Sequence, residues 1–272
     1  MSLAFMKLTN LSNLWIKFIG NCMVEARAGY EYKWSPKTRS AGLERVKLSE
    51  TIAKPVRKFV FDYFLENSRA PVLEEIMQSF HLARSEASDI LEELETAHHV
   101  IRLPGTQRIL LANPFSALDT PFAVKIGNKG YFGACAWDAV AFHIMLGRES
   151  LVNSFCHHCA EPIRIEFRNG RAVSTQPSDP LVFLSLPAAK WWENIVLTCA
   201  NNMVFLSSRR HLDDWLKENP VVRGEALSLE QTLKISVPIY KEKMKIDYAR
   251  PSKEQLTAYW DSIGLHGDFW KL

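Results

Sequence analysis

The sequence lacks the long apolar run that a membrane-spanning helix needs. No stretch of about 18 apolar residues free of charge occurs in its 272 positions, so we expect no membrane partner. Near the N-terminus an apolar series that includes Trp15 and Phe18 is interrupted by Lys7 and Lys17, and no small-residue cleavage site follows. This pattern predicts an amphipathic helix that docks on the rest of the protein or on a second copy of the chain, so a homodimer is a candidate assembly.

Cysteine and net charge are also scarce. The five cysteines are too few and too scattered for a disulfide scaffold, and their number is odd. We therefore expect a cytoplasmic protein that keeps some thiols for chemistry or for metal. A formal net charge of +3, with 47% hydrophobic and 23% charged residues, excludes a disordered chain and a highly basic nucleic-acid binder.

Hydrophobic periodicity divides the chain into three parts and predicts an α+β fold. Residues 1–48 form the N-terminal helical arm, which is the amphipathic helix with its connecting segment. Residues 49–112 contain three short helices closed by a hairpin, which is the pattern of a winged helix-turn-helix module. Residues 113–272 alternate short strands and helices and predict a mixed β-sheet/helix core with a C-terminal helical extension.

The winged-helix module is expected to have a structural role. Its third helix carries Glu86, Asp89, Glu92, Glu93 and Glu95, with only Arg84 nearby. Acidic side chains on a recognition helix repel phosphate, so nucleic acid is not an expected partner.

The segment from Gly130 to Gly147 carries the most chemistry. Two small residues precede Cys135 and an apolar run follows it, which places Cys135 in the first turn of a helix that Gly147 ends. A thiol there is expected to lose its proton more easily than a free one, and Asp138 shares its helix face. The alternative is a buried cysteine followed by an aspartate that caps the helix, and these residues alone favour that alternative.

Cys156 and Cys159 form a Cys-His-His-Cys segment, which is half of a zinc site. No second Cys-x-x-Cys or histidine pair follows at ligand spacing, so a closed four-ligand zinc site is not evident. Buried structural thiols are the expected state of this pair, and a thiol relay or metal capture is the alternative. His143 lies on an apolar helix face and is expected to be a core histidine.

Several ordered landmarks together resemble the organomercurial (alkylmercury) lyase family. They cover about residues 50–220 and comprise Asn-Pro-Phe-Ser-Ala at 113–117 with Thr120-Pro121, Cys135-Ala-Trp-Asp138 opening a helix, Cys156 before a hairpin, and Cys199 ahead of a strand and Asp214-Trp215. The resemblance implies an enzyme whose fold includes the winged-helix module.

The implied reaction is protonolysis of a carbon–mercury bond, which gives a hydrocarbon and Hg(II). The resemblance assigns Cys135 and Cys199 as the thiolates that hold mercury and Asp138 as the group that handles the proton. It implies a small organomercurial substrate, no required cofactor, and release of Hg(II) to small-molecule thiols. Independently of the family, thiolate is the soft ligand that mercury prefers, and an adjacent carboxyl group can relay a proton.

Cys199 departs from the family pattern. Counted back from Phe205 and Trp215 it lies about one position early, and the histidine-rich segment is missing. Either the loop absorbs the extra residue, or the second thiol is displaced and its sulfur is directed away from Cys135. The second case would favour a divergent protein that binds a soft metal or acts on another substrate through Cys135 and Asp138. A winged-helix regulator that senses thiols or metal is the second alternative.

Overall fold

The computed structural model describes residues 52–272, and the fold within this range is α+β, as predicted. The N-terminal amphipathic helix, its connecting arm and Cys22 lie outside the described residues. The described helices are α1 (Ala53–Asn67), α2 (Leu73–Phe80), α3 (Arg84–Thr96), α4 (Ala136–Leu146), α5 (Ile195–Asn202), α6 (Arg209–Glu218), α7 (Leu229–Tyr240) and α8 (Lys253–Ser262). None of them combines the length and the apolar character that crossing a membrane requires.

Two antiparallel sheets account for the described strands. The larger has the order β1-β2-β3-β5-β4-β6-β7-β8 and the smaller has the order β10-β9-β11. The strands are β1 (Ile101–Arg102), β2 (Ile109–Ala112), β3 (Phe115–Ser116), β4 (Ala123–Ile126), β5 (Lys129–Gly133), β6 (Ser150–Phe155), β7 (Pro162–Arg168), β8 (Arg171–Gln176), β9 (Leu181–Leu184), β10 (Met203–Leu206) and β11 (Glu225–Leu227).

The three helices and the hairpin predicted for residues 49–112 form where the apolar periodicity places them. Val56, Val60 and Phe64 line the buried face of α1, and Leu91 and Leu94 line that of α3. Strands β1 and β2 then pair antiparallel, with Ile101 opposite Leu111. Within this segment, apolar residues spaced three or four positions apart thus form helices, and the residues that follow form a short pair of strands.

Helix α4 is the central element of the larger fold. Nine of its eleven residues are buried, from Ala136 to Met145, because the helix packs against strand β5 on one side and helix α7 on the other. Trp137 fixes the second contact through its indole N–H, which donates to Ser236 Oγ of α7 at 2.8 Å. A helix that is apolar on every side is typical of an element enclosed by others.

The segment that leads to Cys199 is divided into two helical pieces, a short 3-10 helix at Ala188–Lys190 and then α5. Asn194 separates the two because its backbone is not helical (φ −153°, ψ 86°) and its Oδ1 accepts the N–H of Leu197 at 3.1 Å. Cys199 therefore lies inside α5 rather than after a longer helix.

The smaller sheet carries the element that links α5 to the rest of the fold. Strand β10 continues directly from α5 and pairs with β9, with Phe205 opposite Val182. All four residues of each strand are buried. Strand β9 was not predicted from the sequence, because a run of four apolar residues has no alternation that distinguishes a buried strand from a helix.

Candidate active site

Cys135 is the N-cap residue of α4. Its backbone is extended (φ −154°, ψ 179°), and its Sγ accepts a hydrogen bond from the backbone N–H of Asp138 at 3.3 Å. The sequence placed Cys135 one position later, in the first helical turn. Gly147 ends the helix in the left-handed conformation (φ 58°), as predicted.

The Asp138 carboxylate accepts its hydrogen bonds from side chains. Tyr240 donates its hydroxyl to Oδ1 at 2.6 Å, and Asn113 donates its side-chain N–H to Oδ2 at 2.8 Å. The Cys135 thiol also donates to Oδ2, at 3.1 Å. Asp138 is 1% exposed, so side-chain donors take the place that water has around a surface carboxylate.

Cys199 reaches the same carboxylate from helix α5. Its Sγ lies 3.9 Å from Asp138 Oδ2 and 3.7 Å from Asn113 Nδ2. One ligand atom from each of Cys135, Asp138 and Cys199 lies within 4.8 Å of the other two, and all three residues are buried. The expectation that the early position of Cys199 aims its sulfur away is therefore wrong, because α5 runs into β10 and brings the thiol over α4.

Three contacting residues have no signal of their own in the sequence. Tyr240 is 102 positions from Asp138, and Met203 Sδ lies 3.7 Å from Cys135 Sγ across 68 positions. Asn113 belongs to the Asn-Pro-Phe landmark, which gave a position but no role. The motif around Cys135 thus indicates the site, but the donors around it are assembled only by the tertiary fold.

The expected activation of Cys135 is also wrong. Burial raises the pKa of this thiol well above its ordinary value, and the neighbouring Cys199 and Asp138 add to the effect. The effect of burial on this pKa is larger than that of the helix N-terminus, because a thiolate at this position would lose its hydration and face a carboxylate. Cys135 is therefore held as a thiol that donates its hydrogen bond to Asp138.

A buried lysine, Lys243, lies beside Tyr240 and the Asp138 carboxylate. Lys243 places its amine 4.7 Å from the centre of the Tyr240 ring, and burial lowers the pKa of this lysine to about 7. Burial, with Asp138 second, raises the pKa of Tyr240 well above its ordinary value, so the phenol keeps its proton. Tyr240 is therefore a permanent hydrogen-bond donor to Asp138.

The remaining predicted residues lie elsewhere. His143 is a buried histidine with both ring nitrogens occupied, since Nδ1 contacts Arg148 O at 2.6 Å and Nε2 accepts from Gly170 N at 3.0 Å. Cys156 and Cys159 lie together after strand β6, where both sulfurs contact His211 of α6. All four cysteines among residues 52–272 are free thiols.

Comparison with known proteins confirms the resemblance. The alkylmercury lyase (MerB) family model matches residues 115–241, later at both ends than the 50–220 expected. An alkylmercury lyase of Bacillus cereus is 30% identical over 118 residues, which are 43% of this chain and 52% of that protein. One of Streptomyces lividans is 25% identical over 157 residues, which are 58% of this chain and 70% of that protein.

The chain spans about half the length of the first of these curated relatives. Among solved structures, the mercury-bound form of MerB2 covers 73% of this chain and 94% of its own length, with a TM-score of 0.60 and 21% identity. That structure shows the fold, and the relatives and the family model show the sequence kinship, with Cys135, Asp138 and Cys199 all inside the matched segment. Residues 115–241 of this chain therefore match the alkylmercury lyase family, at low sequence identity to its curated members.

Proposed function

We propose that this protein is an organomercurial lyase that splits a carbon–mercury bond with Cys135, Asp138 and Cys199. The observation that carries the proposal is the convergence of two thiols and a carboxylate within 4.8 Å, in a buried site inside the family segment. Two sulfurs next to one proton carrier suit a soft metal that must exchange a carbon ligand for sulfur.

The proton for the reaction starts on Cys135. An organomercurial, R–Hg–X, exchanges X⁻ for the Cys135 sulfur while the thiol proton passes to Asp138 Oδ2, which lies 3.1 Å from Cys135 Sγ. Cys199, whose sulfur lies 3.9 Å from the same oxygen, binds mercury as the second thiolate. Asp138 then protonates the carbon. The Hg–C bond breaks, R–H leaves, and Hg(II) stays on two sulfurs, so that R–Hg–X and two thiols give R–H, Hg(II) bis-thiolate, H⁺ and X⁻.

Burial supports this order of events. A thiol whose proton is held until mercury arrives does not leave two thiolates and a carboxylate unpaired in a dry site. Tyr240 and Asn113 hold the carboxylate in place through one hydrogen bond each. Met203, 3.7 Å from Cys135 Sγ, supplies a soft thioether beside the metal position.

Helices α1–α3 with strands β1 and β2 form a winged-helix-like module, residues 49–112, that supports the lyase core of residues 113–272. Acidic groups on α3 disfavour a regulatory role on nucleic acid, since Glu86, Asp89 and Glu92 belong to this helix. Small thiols of a reducing cytoplasm would remove Hg(II) from the two cysteines, in the service of mercury resistance. Residues 1–48 would mediate the formation of a homodimer.

The test is hydrocarbon release. Purified protein in excess small thiol is given phenylmercury, and benzene is measured alongside the mercury retained by the protein. We expect release by the unchanged protein and its loss in Cys135→Ser, Cys199→Ser and Asp138→Asn. In Asp138→Asn mercury still binds, because both sulfurs remain.

The matched control is Cys22→Ser, which removes a thiol outside the described residues and leaves the three reacting groups in place. Stoichiometric mercury binding with no benzene from the unchanged protein would refute lyase activity and favour the soft-metal binder. Benzene release that survives Cys199→Ser would instead remove that residue from the mechanism.

A further inference from the structure

We infer that Cys156, Cys159 and His211 form a second metal site, for a zinc-type divalent cation, separate from the Cys135 and Cys199 pair. Sulfur and nitrogen ligand atoms of the three residues lie within 4.8 Å of one another. This inference does not depend on lyase activity.

Two edges of the cluster match those of a tetrahedral zinc site. Zn–S and Zn–N bonds of about 2.3 and 2.05 Å at tetrahedral angles put sulfur and nitrogen about 3.6 Å apart. In this structure His211 Nδ1 lies 3.7 Å from Cys156 Sγ and 3.5 Å from Cys159 Sγ. Both edges agree with the ideal value to within about 0.1 Å, so a cation fits among the donors without displacement of the backbone.

Hydrogen bonding alone does not account for the cluster. Depending on the tautomer, a neutral imidazole Nδ1 either accepts one hydrogen bond through its lone pair or donates through its single N–H. Three groups nevertheless converge on His211 Nδ1, namely the two sulfurs and the hydroxyl of Ser207. A cation bound by the nitrogen and both sulfurs explains why they point to a common centre.

The backbone around Cys156 supplies a hydrogen-bond donor to its sulfur. Ser207 donates its backbone N–H to Cys156 Sγ at 3.4 Å, and Cys156 is 1% exposed. The loop closes through the N–H of Ala160, which donates to Cys156 O at 2.9 Å, with Ala160 itself in the left-handed conformation (φ 61°). An alanine in that conformation is unfavourable, which indicates that the loop shape is imposed by its surroundings.

Two neighbours supply charge and a further donor. Glu161 Oε2 lies 3.9 Å from His211 Nδ1 on the exposed side, and it adds negative charge next to the cation position. The ring of His158 lies 5.6 Å from the ring of His211, and its buried Nδ1 has no hydrogen-bond partner among the described residues. Glu161 and His158 are therefore the neighbouring side chains that could supply a fourth ligand.

The sequence could not supply the third ligand. Cys-x-x-Cys is visible, but His211 lies 52 positions beyond Cys159 on helix α6. The fold brings them together because His157 donates its backbone N–H to Phe205 O at 2.9 Å, which joins the end of β6 to β10. Ser208 then starts α6 by accepting the N–H of His211 at 3.3 Å.

The experiment uses the full chain with Cys135 and Cys199 both changed to serine, so that the other thiol pair takes no metal. The protein is reduced, freed of metal by a chelator, and titrated with Zn(II) against a chromophoric chelator and separately with Co(II). We expect one equivalent of each metal, a higher melting temperature with Zn(II), and the strong visible absorption of tetrahedral cobalt with a thiolate charge-transfer band.

In that background, Cys159→Ser and His211→Ala are each expected to weaken zinc binding at least about 100-fold, at or above the range found for the outer shell of metal sites. His266→Ala is the matched control, because His266 is an exposed histidine that contacts Asp261. Ser207→Ala should bind zinc at least as tightly, since it removes only the hydroxyl that competes for Nδ1.

The inference fails if the double-serine protein takes up no zinc. It also fails if zinc binds but Cys159→Ser and His211→Ala leave the affinity unchanged, or if the cobalt spectrum lacks thiolate bands. A loss of benzene release by Cys135→Ser with zinc binding intact would separate the two sites, and failure of either proposal leaves the other testable.

Discussion

Replacing Tyr240 by phenylalanine removes one buried donor from Asp138 and should slow carbon–mercury cleavage. The hydroxyl lies 2.6 Å from Oδ1, and no other side chain is recorded as donating to that oxygen among the described residues. A hydrogen bond to a charged group is worth about 1.5–3 kcal/mol. If this bond holds the carboxylate in its reacting position, its loss corresponds to a fall in rate of about 10- to 150-fold.

The assay is single-turnover benzene release from phenylmercury, with mercury binding measured in parallel. Tyr240 is a positioning residue, so the expected result is a slower chemical step with unchanged stoichiometry of mercury on the protein. Tyr248→Phe is the matched control because it removes a hydroxyl that donates to Ile239 O at 2.8 Å, equally buried but without contact to Asp138. A Tyr240→Phe rate within about twofold of the Tyr248→Phe rate would refute the reasoning.

Two further predictions concern stability. Burial lowers the pKa of Lys243 to about 7, so between pH 7 and 10.5 this lysine carries a proton in the unfolded chain but not in the folded protein. The free energy of unfolding should therefore rise with pH over that window. Lys243→Met should remove this rise and stabilise the protein at pH 7 by about 1–3 kcal/mol, below the maximum of about 4 kcal/mol that the pKa shift implies. Urea unfolding measured across pH 7–10 tests this. A gain in stability no larger than that of Lys241→Met, at an exposed lysine, would contradict it. Gly224→Ala should destabilise the protein by about 3 kcal/mol or more, because the added Cβ would meet Leu184 O at 2.2 Å. Gly130→Ala has open space around its Cβ and should change the free energy of unfolding by less than about 0.5 kcal/mol. Equal melting temperatures for the two variants would contradict the value for Gly224→Ala.

The elements that could be predicted are those with a local cause. Helix α4 ends where a glycine adopts positive φ, and α1–α3 follow the spacing of their apolar residues. The hairpin of β7 and β8 follows from alternation and the Asn169-Gly170 turn. Each of these features is decided within about ten residues of sequence.

The site could be predicted only in part, because its chemistry depends on distant residues. Cys135 and Asp138 lie three positions apart on one helix, and the family pattern adds Cys199. The Tyr240 donor, the Met203 sulfur and the His211 imidazole have no local signal, since tertiary packing alone brings them near the cysteines. The protonation of Cys135 was predicted wrongly for the same reason, because its burial is a property of the assembled core.

The carboxylate of Asp138 is surrounded by donors from four separate parts of the chain, at 113, 135, 199 and 240. No fragment that ends before α7 contains the complete set, and a growing chain exposes Cys135 and Cys199 before Tyr240 exists. A newly made chain would therefore carry both thiols and Asp138 before the Tyr240 donor is present. The full set of side chains around the carboxylate comes together only once α7 has packed against α4.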